Sequence, residues 1–407
     1  MKDLRLILDA CEAAQKERVT AALATVVSVA GSAYRRPGAR MLVYSNGDRV
    51  GAISGGCLEA DVAQRGLRVL ESGEPDYVFY SANISNGDVI AELGCKGSVG
   101  VLIEPLPLAP LDLDFGTIDA RSPARECLQF LGSFQNRRGR GAIATVYHIE
   151  GTSVLQPGDR FLQRSGEAIH TVLNPHRDQR CSECIQALLP RLQIDIAECM
   201  RDAYPRNQLY ELSNGVVSVL IEPVYPPIAL LICGAGQDAQ PLAAVADLLG
   251  WDVTVIDHRE SMLAAGRFPG ARTTHTREPD AIVELALDDR TAVVLMSHSY
   301  ERDSEWLRHF SSAEIGYLGL LGPRHRAEEM LMTHGLLSSA EPQYVPIFSP
   351  IGLDIGAETS EEIALAIVAE IQSVLSGSSA GYLRDRSGPI HRPVSISAPD
   401  REQQWLG

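Results

Sequence analysis

Leu4, Ile7, Leu8, Cys11 and Ala14 recur at helical spacing behind Asp3, which predicts an amphipathic helix over the first seventeen residues. An apolar run over 19–29 then breaks at Gly31. A second run, 40–44, turns through Asn46-Gly47-Asp48, and Asn-Gly between apolar runs signals a hairpin because both residues tolerate positive φ. A helix is expected from 58 to about 70, and 99–104 reads as a closing strand. The pattern then starts again. Residues 22–42 align with 142–162 without a gap, at a constant offset of 120, and Val101-Leu102-Ile103-Glu104-Pro105 returns as Val219-Leu220-Ile221-Glu222-Pro223. Two copies of one module are therefore predicted, residues 1–110 and 121–226, with the proline-broken stretch 106–110 ending the first.

Beyond Pro226-Pro227 the pattern changes. Short continuous apolar runs at 228–233, 252–256, 292–296 and 317–321 alternate with helical stretches, as parallel βαβ units require. Thr359 and Glu362 have capping-box spacing ahead of Ile363, Ile367 and Ile371, so a last helix should end near Leu375. Residues 228–375 are expected to form a Rossmann-like domain. Residues 376–407, rich in Ser, Gly, Pro and Arg, are expected to be a loosely held arm. The fold class is α/β: an N-terminal α+β module, a degenerate second copy of it, and a C-terminal Rossmann-like parallel sheet.

Composition narrows the function classes. At 407 residues the chain is long enough for several cores. A net charge of −16 argues against nucleic acid or an anionic membrane as the main partner, since phosphate binding needs clustered cations. The first eighteen residues mix charges throughout, and no apolar run approaches the ~20 residues of a spanning helix, so a cytoplasmic location is expected. Eight unevenly spaced cysteines read as reduced thiols.

Candidate chemistry comes from comparing the copies. Only the first carries Ser54-Gly55-Gly56-Cys57-Leu58-Glu59 and Gly94-Cys95-Lys96-Gly97; the second offers Val172-Leu173-Asn174-Pro175 and Leu212-Ser213-Asn214-Gly215. A fold needs its strands in both copies but a site only once, which singles out Cys57, Glu59 and Cys95. Cys57 should lie near the start of a helix, where positive potential favours the thiolate that attacks sulfur or ligates metal. Cys95, in a glycine turn, is the second metal-ligand candidate, although a lone cysteine is more commonly a small buried hydrophobe. Arg35 and Arg36, replaced by Leu155 and Gln156, are anion-binding candidates; Arg40 persists as Arg160 and reads as structural.

Gly234, Gly236 and Ala239 match G-x-G-x-x-G/A between a strand and a helix, and Asp257 ends the next strand. Such glycines admit a pyrophosphate to a helix N-terminus while the acid holds ribose; the alternative is a Rossmann scaffold that binds no dinucleotide. Arg259 could pair with a phosphate. His298, just after the third apolar run and with Asp303 close behind, falls where ligand crevices form, or is a solvent-facing loop residue. Cys181 and Cys184, with His170 and His176 nearby, have zinc-like spacing but no second pair, and free thiols are favoured.

Taken together, these residues resemble the XdhC/CoxI family of molybdenum-enzyme accessory proteins. The resemblance covers nearly all the chain to about Leu375. It is carried by Gly31-Ser32 with Arg36-Pro37-Gly38-Ala39, the 54–59 turn, Gly94-Cys95, residues 232–236, Asp257-His258-Arg259, Ser297-His298, residues 317–322 with Arg324, and Pro350-Ile351-Gly352-Leu353-Asp354-Ile355-Gly356. It implies a molybdenum-cofactor chaperone, more a maturation factor than an enzyme. Such a protein would assist sulfuration with a cysteine desulfurase and insertion into a xanthine dehydrogenase, aldehyde oxidoreductase or CO dehydrogenase type apoenzyme, with a homodimer as one open assembly. Cys57, Glu59 and Cys95 would then act at the molybdenum end, Cys57 and Cys95 as its ligands. Arg35, Arg36, Ser54, Gly55, Gly56, Gly234, Gly236, Asp257, Arg259, His298 and Arg324 would bind the molybdopterin, as such or as a dinucleotide. Pro323 replaces a Ser in the family's Gly-Ser-Arg turn and removes a backbone donor there. The alternative reading is an NAD(P)-dependent oxidoreductase using the same glycine turn, with Glu59 or His298 moving a proton.

Overall fold

The computed structural model describes residues 2–17, 19–31, 34–81, 89–90, 97–107, 122–151, 153–174, 182–212, 215–277, 285–336, 345–387 and 396–397. The chain divides into two compact units, one built on Asp3–Tyr225 and the other on Pro226–Asp385.

In the first unit the opening copy runs α1 (Lys2–Glu17), β1 (Ala21–Ala30), β2 (Arg40–Tyr44), β3 (Arg49–Gly51), α2 (Glu59–Ser72), β4 (Asp76–Ser81), β5 (Val89–Ile90) and β6 (Ser98–Leu106). The second repeats it as α3 (Pro123–Asn136), β7 (Gly141–Gly151), β8 (Arg160–Arg164), β9 (His170–Val172), α4 (Ser182–Asp202), β10 (Arg206–Leu212) and β11 (Gly215–Val224). The expected hairpin is present: Gly47 at φ +87° lets its N–H donate to the Tyr44 carbonyl at 2.9 Å. The sheets share one order, β3-β2-β1-β6-β4 in the first and β9-β8-β7-β11-β10 in the second.

Both sheets are buried on both faces, so their strands read as continuous apolar runs rather than alternating ones. Ala22, Ala24 and Val26 of β1 lie in one core with Val62 and Val69 of α2, while Ala21 and Leu23 share another with Ile143 of β7, Leu162 of β8 and Phe134 of α3. On the far side, Ala142, Ala144 and Val146 pack with Leu188, Leu192 and Ile196 of α4. Val27 and Leu102 meet their repeat counterparts Tyr147 and Leu220 in a small central cluster. The result is four layers, α2, sheet, sheet and α4, with the two copies face to face.

The second unit is a Rossmann fold. Its strands β12 (Ala229–Cys233), β13 (Asp252–Asp257), β14 (Arg272–His275), β15 (Thr291–Leu295), β16 (Tyr317–Leu320) and β17 (Ile347–Phe348) are all parallel, in the order β14-β13-β12-β15-β16-β17. Helix α5 (Ala239–Leu248) packs with α8 (Ser360–Ser376) on one face of the sheet, and α6 (Tyr300–Phe310) and α7 (Arg324–Thr333) cover the other. The Thr359/Glu362 capping box opens α8, and Gly377 in the left-handed region closes it. The reversal of strand order between β12 and β15 opens a crevice at the strands' carboxyl ends. Two residues from the polar C-terminal stretch, Ile396–Ser397 (β18), pair in parallel with β10 of the first unit, as β5 pairs with β4.

Candidate functional site

The turn before α2 is organised by one carboxylate. Glu59, the first residue of the helix, accepts the Ser54 N–H at 2.8 Å and the Leu58 N–H at 3.2 Å, and takes a short hydrogen bond from the Ser54 hydroxyl. The Ser54 oxygen in turn accepts the N–H groups of Gly56 and Leu58, each at 3.2 Å. Burial would raise the Glu59 pKa, but the Ser54 hydroxyl and the backbone N–H groups outweigh it and hold the carboxyl below its usual range. Glu59 is thus an ionised clamp that shapes the turn. The amides of Gly56 and Leu58 point inward, Gly56 adopts φ +115°, and Cys57 is left exposed just before the helix cap, with Sγ 3.6 Å from the Ser54 hydroxyl. A Cβ on Gly55 would touch the exposed ring of Tyr34 at 3.7 Å.

Among the described thiols Cys57 alone is exposed. Burial pushes Cys11 up to about 11 and Cys199 up to about 12, and raises Cys233 well above the usual thiol value, which keeps all three protonated. Cys95, Cys181 and the Cys184 side chain lie outside the described residues. Among the described residues no cluster of three or more His, Cys, Asp or Glu could hold a metal ion. Of the two candidate arginines, Arg35 is ion-paired with Asp3 and donates from Nε to the Ala52 carbonyl at 3.3 Å; Arg36 lies 5.7 Å from the centre of the Tyr204 ring. Arg35 therefore stitches α1 to the strand end beside the turn, and the second copy steadies Arg36.

Arg40 and Arg160 have a different purpose, legible only once the copies are face to face. Arg40 of the first copy forms a buried ion pair with Glu222 of the second, Nη1 donating to Oε2 at 3.1 Å; Arg160 of the second pairs with Glu104 of the first, Nη1 to Oε1 at 2.7 Å. Each arginine also donates to a carbonyl in its own Pro-Gly turn, Gly38 at 2.7 Å and Gly158 at 2.9 Å. A Cβ on either glycine would strike the partner glutamate. The repeated Pro-Gly-x-Arg and Leu-Ile-Glu-Pro motifs are the two halves of this crossed clasp.

In the Rossmann unit the crevice holds Gly234, Gly236, Asp257, Arg259 and His298. Gly234 has φ +124°, and a Cβ there would meet the Met296 carbonyl at 2.5 Å, so strand packing alone demands a glycine. Both Asp257 oxygens are engaged: Oδ2 accepts Ala235 N–H at 2.7 Å and Arg259 Nη2 at 2.9 Å, and Oδ1 accepts Arg259 N–H at 2.8 Å and Nε at 3.0 Å. Burial opposes ionisation, yet Arg259 and these amides lower Asp257 to about 2. The acid thus pins the glycine turn to the neighbouring strand, with Arg259 as its counter-ion. Arg324, the first residue of α7, is exposed.

Sequence reasoning missed Asp238. Its Oδ2 lies 2.8 Å from Nε2 of His298, a residue held at φ +60°, and its buried Oδ1 rests against Gly236 with no hydrogen-bond donor among the described residues. An acid therefore occupies the mouth of the glycine turn at the start of α5, where a pyrophosphate would ordinarily sit. It stands inside the motif, at the last x of G-x-G-x-x-A, but only the fold shows where it points. Arg326 was missed as well: Nη2 donates at 2.8 Å to buried Asp303, which also accepts the Ser297 hydroxyl at 2.6 Å and so fixes the loop that carries His298.

Residues 230–371 match the XdhC Rossmann domain, and residues 14–81 match the XdhC and CoxI family. A Bacillus subtilis protein named as a probable xanthine dehydrogenase component is 31% identical over 386 residues, 91% of this chain and 97% of the relative. The Escherichia coli molybdenum cofactor insertion chaperone PaoD is 23% identical over 354 residues, 87% of this chain and 83% of its own. A solved structure described as a xanthine dehydrogenase from Bacillus halodurans has the same fold, with a TM-score of 0.66 at 22% identity over 94% of this chain and 98% of that one. Two matched segments, one in each unit, and a relative aligned along nearly its whole length establish that this chain belongs to the XdhC and CoxI family.

Proposed function

We propose that this protein is a molybdenum-cofactor chaperone that receives the cofactor, supports its sulfuration with a cysteine desulfurase, and passes it to a molybdenum hydroxylase apoenzyme. The observation that carries the reading is Cys57, an exposed thiol on a turn that the first copy keeps and the second lacks. A metal arriving already coordinated by its pterin needs one open protein ligand rather than a cage of three or four, which suits a turn presenting a single described thiol. Cys95 is the second ligand candidate. Membership of one family with PaoD, named as an insertion chaperone, points the same way.

The Rossmann crevice favours a pterin over a nicotinamide dinucleotide. The buried Oδ1 of Asp238 has no donor among the described residues, and the aminopyrimidinone edge of a pterin offers N–H groups where a pyrophosphate offers only repulsion. Gly236 and His298 would border that edge, with Asp257 and Arg259 shaping the turn behind it. Purification from cells that make the cofactor is the test. Wild-type protein should carry molybdenum with a fluorescent pterin and activate an apo molybdoenzyme in proportion to its load, and Cys57→Ser should lose metal while keeping its fold. Steady NAD(P)H oxidation with a carbonyl substrate and no pterin transfer would overturn the reading.

A further inference from the structure

A second feature of the Rossmann unit lies in the cleft past the ends of β12, β13, β14 and β15. A small concavity open to solvent is lined there by Asp257, His258, Thr276, Arg277, Ser297 and Arg302, among others. Basic residues reach it from three separate segments: His258 from the end of β13, Arg277 from the end of β14, and Arg302 from the first turn of α6. Arg302 is fixed in place, donating from Nη1 to the Arg277 carbonyl at 2.8 Å. Arg277 is exposed and has no carboxylate partner among the described residues, while Glu305 stands 3.6 Å from Arg302. Asp257 also lines the cleft, but Arg259 already neutralises it.

His258 reports the local field. Burial first, then the positive charges of Arg302, Arg259 and Arg277, hold its imidazolium below the usual range against the opposing pull of Asp257. Of the three guanidiniums near His258, Arg259 is paired with Asp257 and Arg302 stands beside Glu305, which leaves Arg277 at the cleft without a carboxylate among the described residues. A dianionic group with three acceptor oxygens would supply that partner, because planar guanidiniums match phosphate oxygens through charge-assisted hydrogen bonds.

We propose that this cleft binds a terminal phosphomonoester, with Arg277 and Arg302 donating to its oxygens and His258 beside them. The inference goes beyond the cofactor reading and does not depend on it, since either a phosphorylated pterin or a 2′-phosphorylated dinucleotide carries the same group. Calorimetry on the full chain, with two ligand pairs, separates these sources. Neopterin monophosphate binding at least tenfold tighter than neopterin assigns the phosphate to a pterin; NADP⁺ binding at least tenfold tighter than NAD⁺ assigns it to a nucleotide. In either case Arg277→Gln, at an exposed position where folding should be unaffected, should weaken the preferred ligand about tenfold, and Arg277→Lys should restore part of the loss. Arg302→Gln should weaken it further, with an unchanged melting temperature confirming the fold. Equal affinity within both pairs, or a preference that survives both glutamine variants, overturns the proposal; inorganic phosphate that binds wild type and Arg277→Gln alike is an adventitious ion only.

Discussion

The two copies of the N-terminal module solve the same backbone problem with carboxylates drawn from opposite sides. In the first copy the N–H of Ser54 is met by Glu59, which comes from the helix after the turn. In the second, the equivalent N–H, on Asn174, is met by Asp159, which comes from the Pro-Gly turn before β8 and also accepts Gln156 N–H, each at 2.8 Å. Asp159 is wholly buried, and its counterpart in the first copy is Ala39. Leu155 is buried where Arg35 stays half-exposed. The second copy is thus plugged from within, while the first leaves its turn open with a thiol on it. The second copy keeps its structure without that turn; a buried acid and a leucine stand in its place.

What the copies hold in common should be the most costly to remove. Arg160→Ala strands Glu104 as an unpaired buried carboxylate and should cost about 3–5 kcal/mol in urea unfolding, with Arg40→Ala close behind. Pairing Arg160→Met with Glu104→Leu should recover most of that loss, because the desolvation penalty disappears with both charges. If the double change were as damaging as the single one, the clasp would not be what joins the copies. Next comes the plug. Asp159→Ala leaves two backbone N–H groups without their acceptor and should cost about 2–4 kcal/mol, with cofactor binding untouched.

How much of this was legible in the sequence depended on the distance between partners. The duplication, the Asn-Gly hairpin, the capping box at Thr359 and four of the six Rossmann strands follow from local spacing, and each is where the pattern puts it. Strands β14 and β17 were missed because they lie toward the sheet's edges: Arg272–His275 is largely exposed and polar, and Ile347–Phe348 is too short to show a period. The persistence of Arg40 and Arg160 marked them as structural, yet their partners sit 182 and 56 residues away and in the opposite copy, so the crossing was invisible. The same limit hid Asp238 against His298 and the convergence of Arg277 with Arg302, since neither pair has any signature in linear spacing.

The clamp in the open copy should announce itself through pH. Glu59 has a folded pKa below its unfolded value of about 4.5, so its contribution is fully present above that value and is lost as the pH falls below it. Glu59→Gln should cost about 1–2 kcal/mol at neutral pH, and its deficit relative to wild type should shrink progressively below pH 4.5. A deficit that stays constant down to pH 3 would mean that the carboxylate does not hold the turn.

The smallest effect on stability, and the sharpest test of open against plugged, lies at Cys57. Cys57→Ser removes only an exposed thiol beside the Ser54 hydroxyl and should change stability by less than about 0.5 kcal/mol. In the wild-type protein iodoacetamide should reach Cys57 well before Cys199 or Cys233, whose burial keeps them protonated. Ala39→Asp would then give the open copy the second copy's acid, placed to compete with Glu59 for the Ser54 N–H. That change should slow Cys57 alkylation several-fold while leaving the clasp and the fold intact. Labelling at an unchanged rate would show that the acid does not close the turn, and that the openness of the first copy comes from Arg35 and Tyr34 rather than from Ala39.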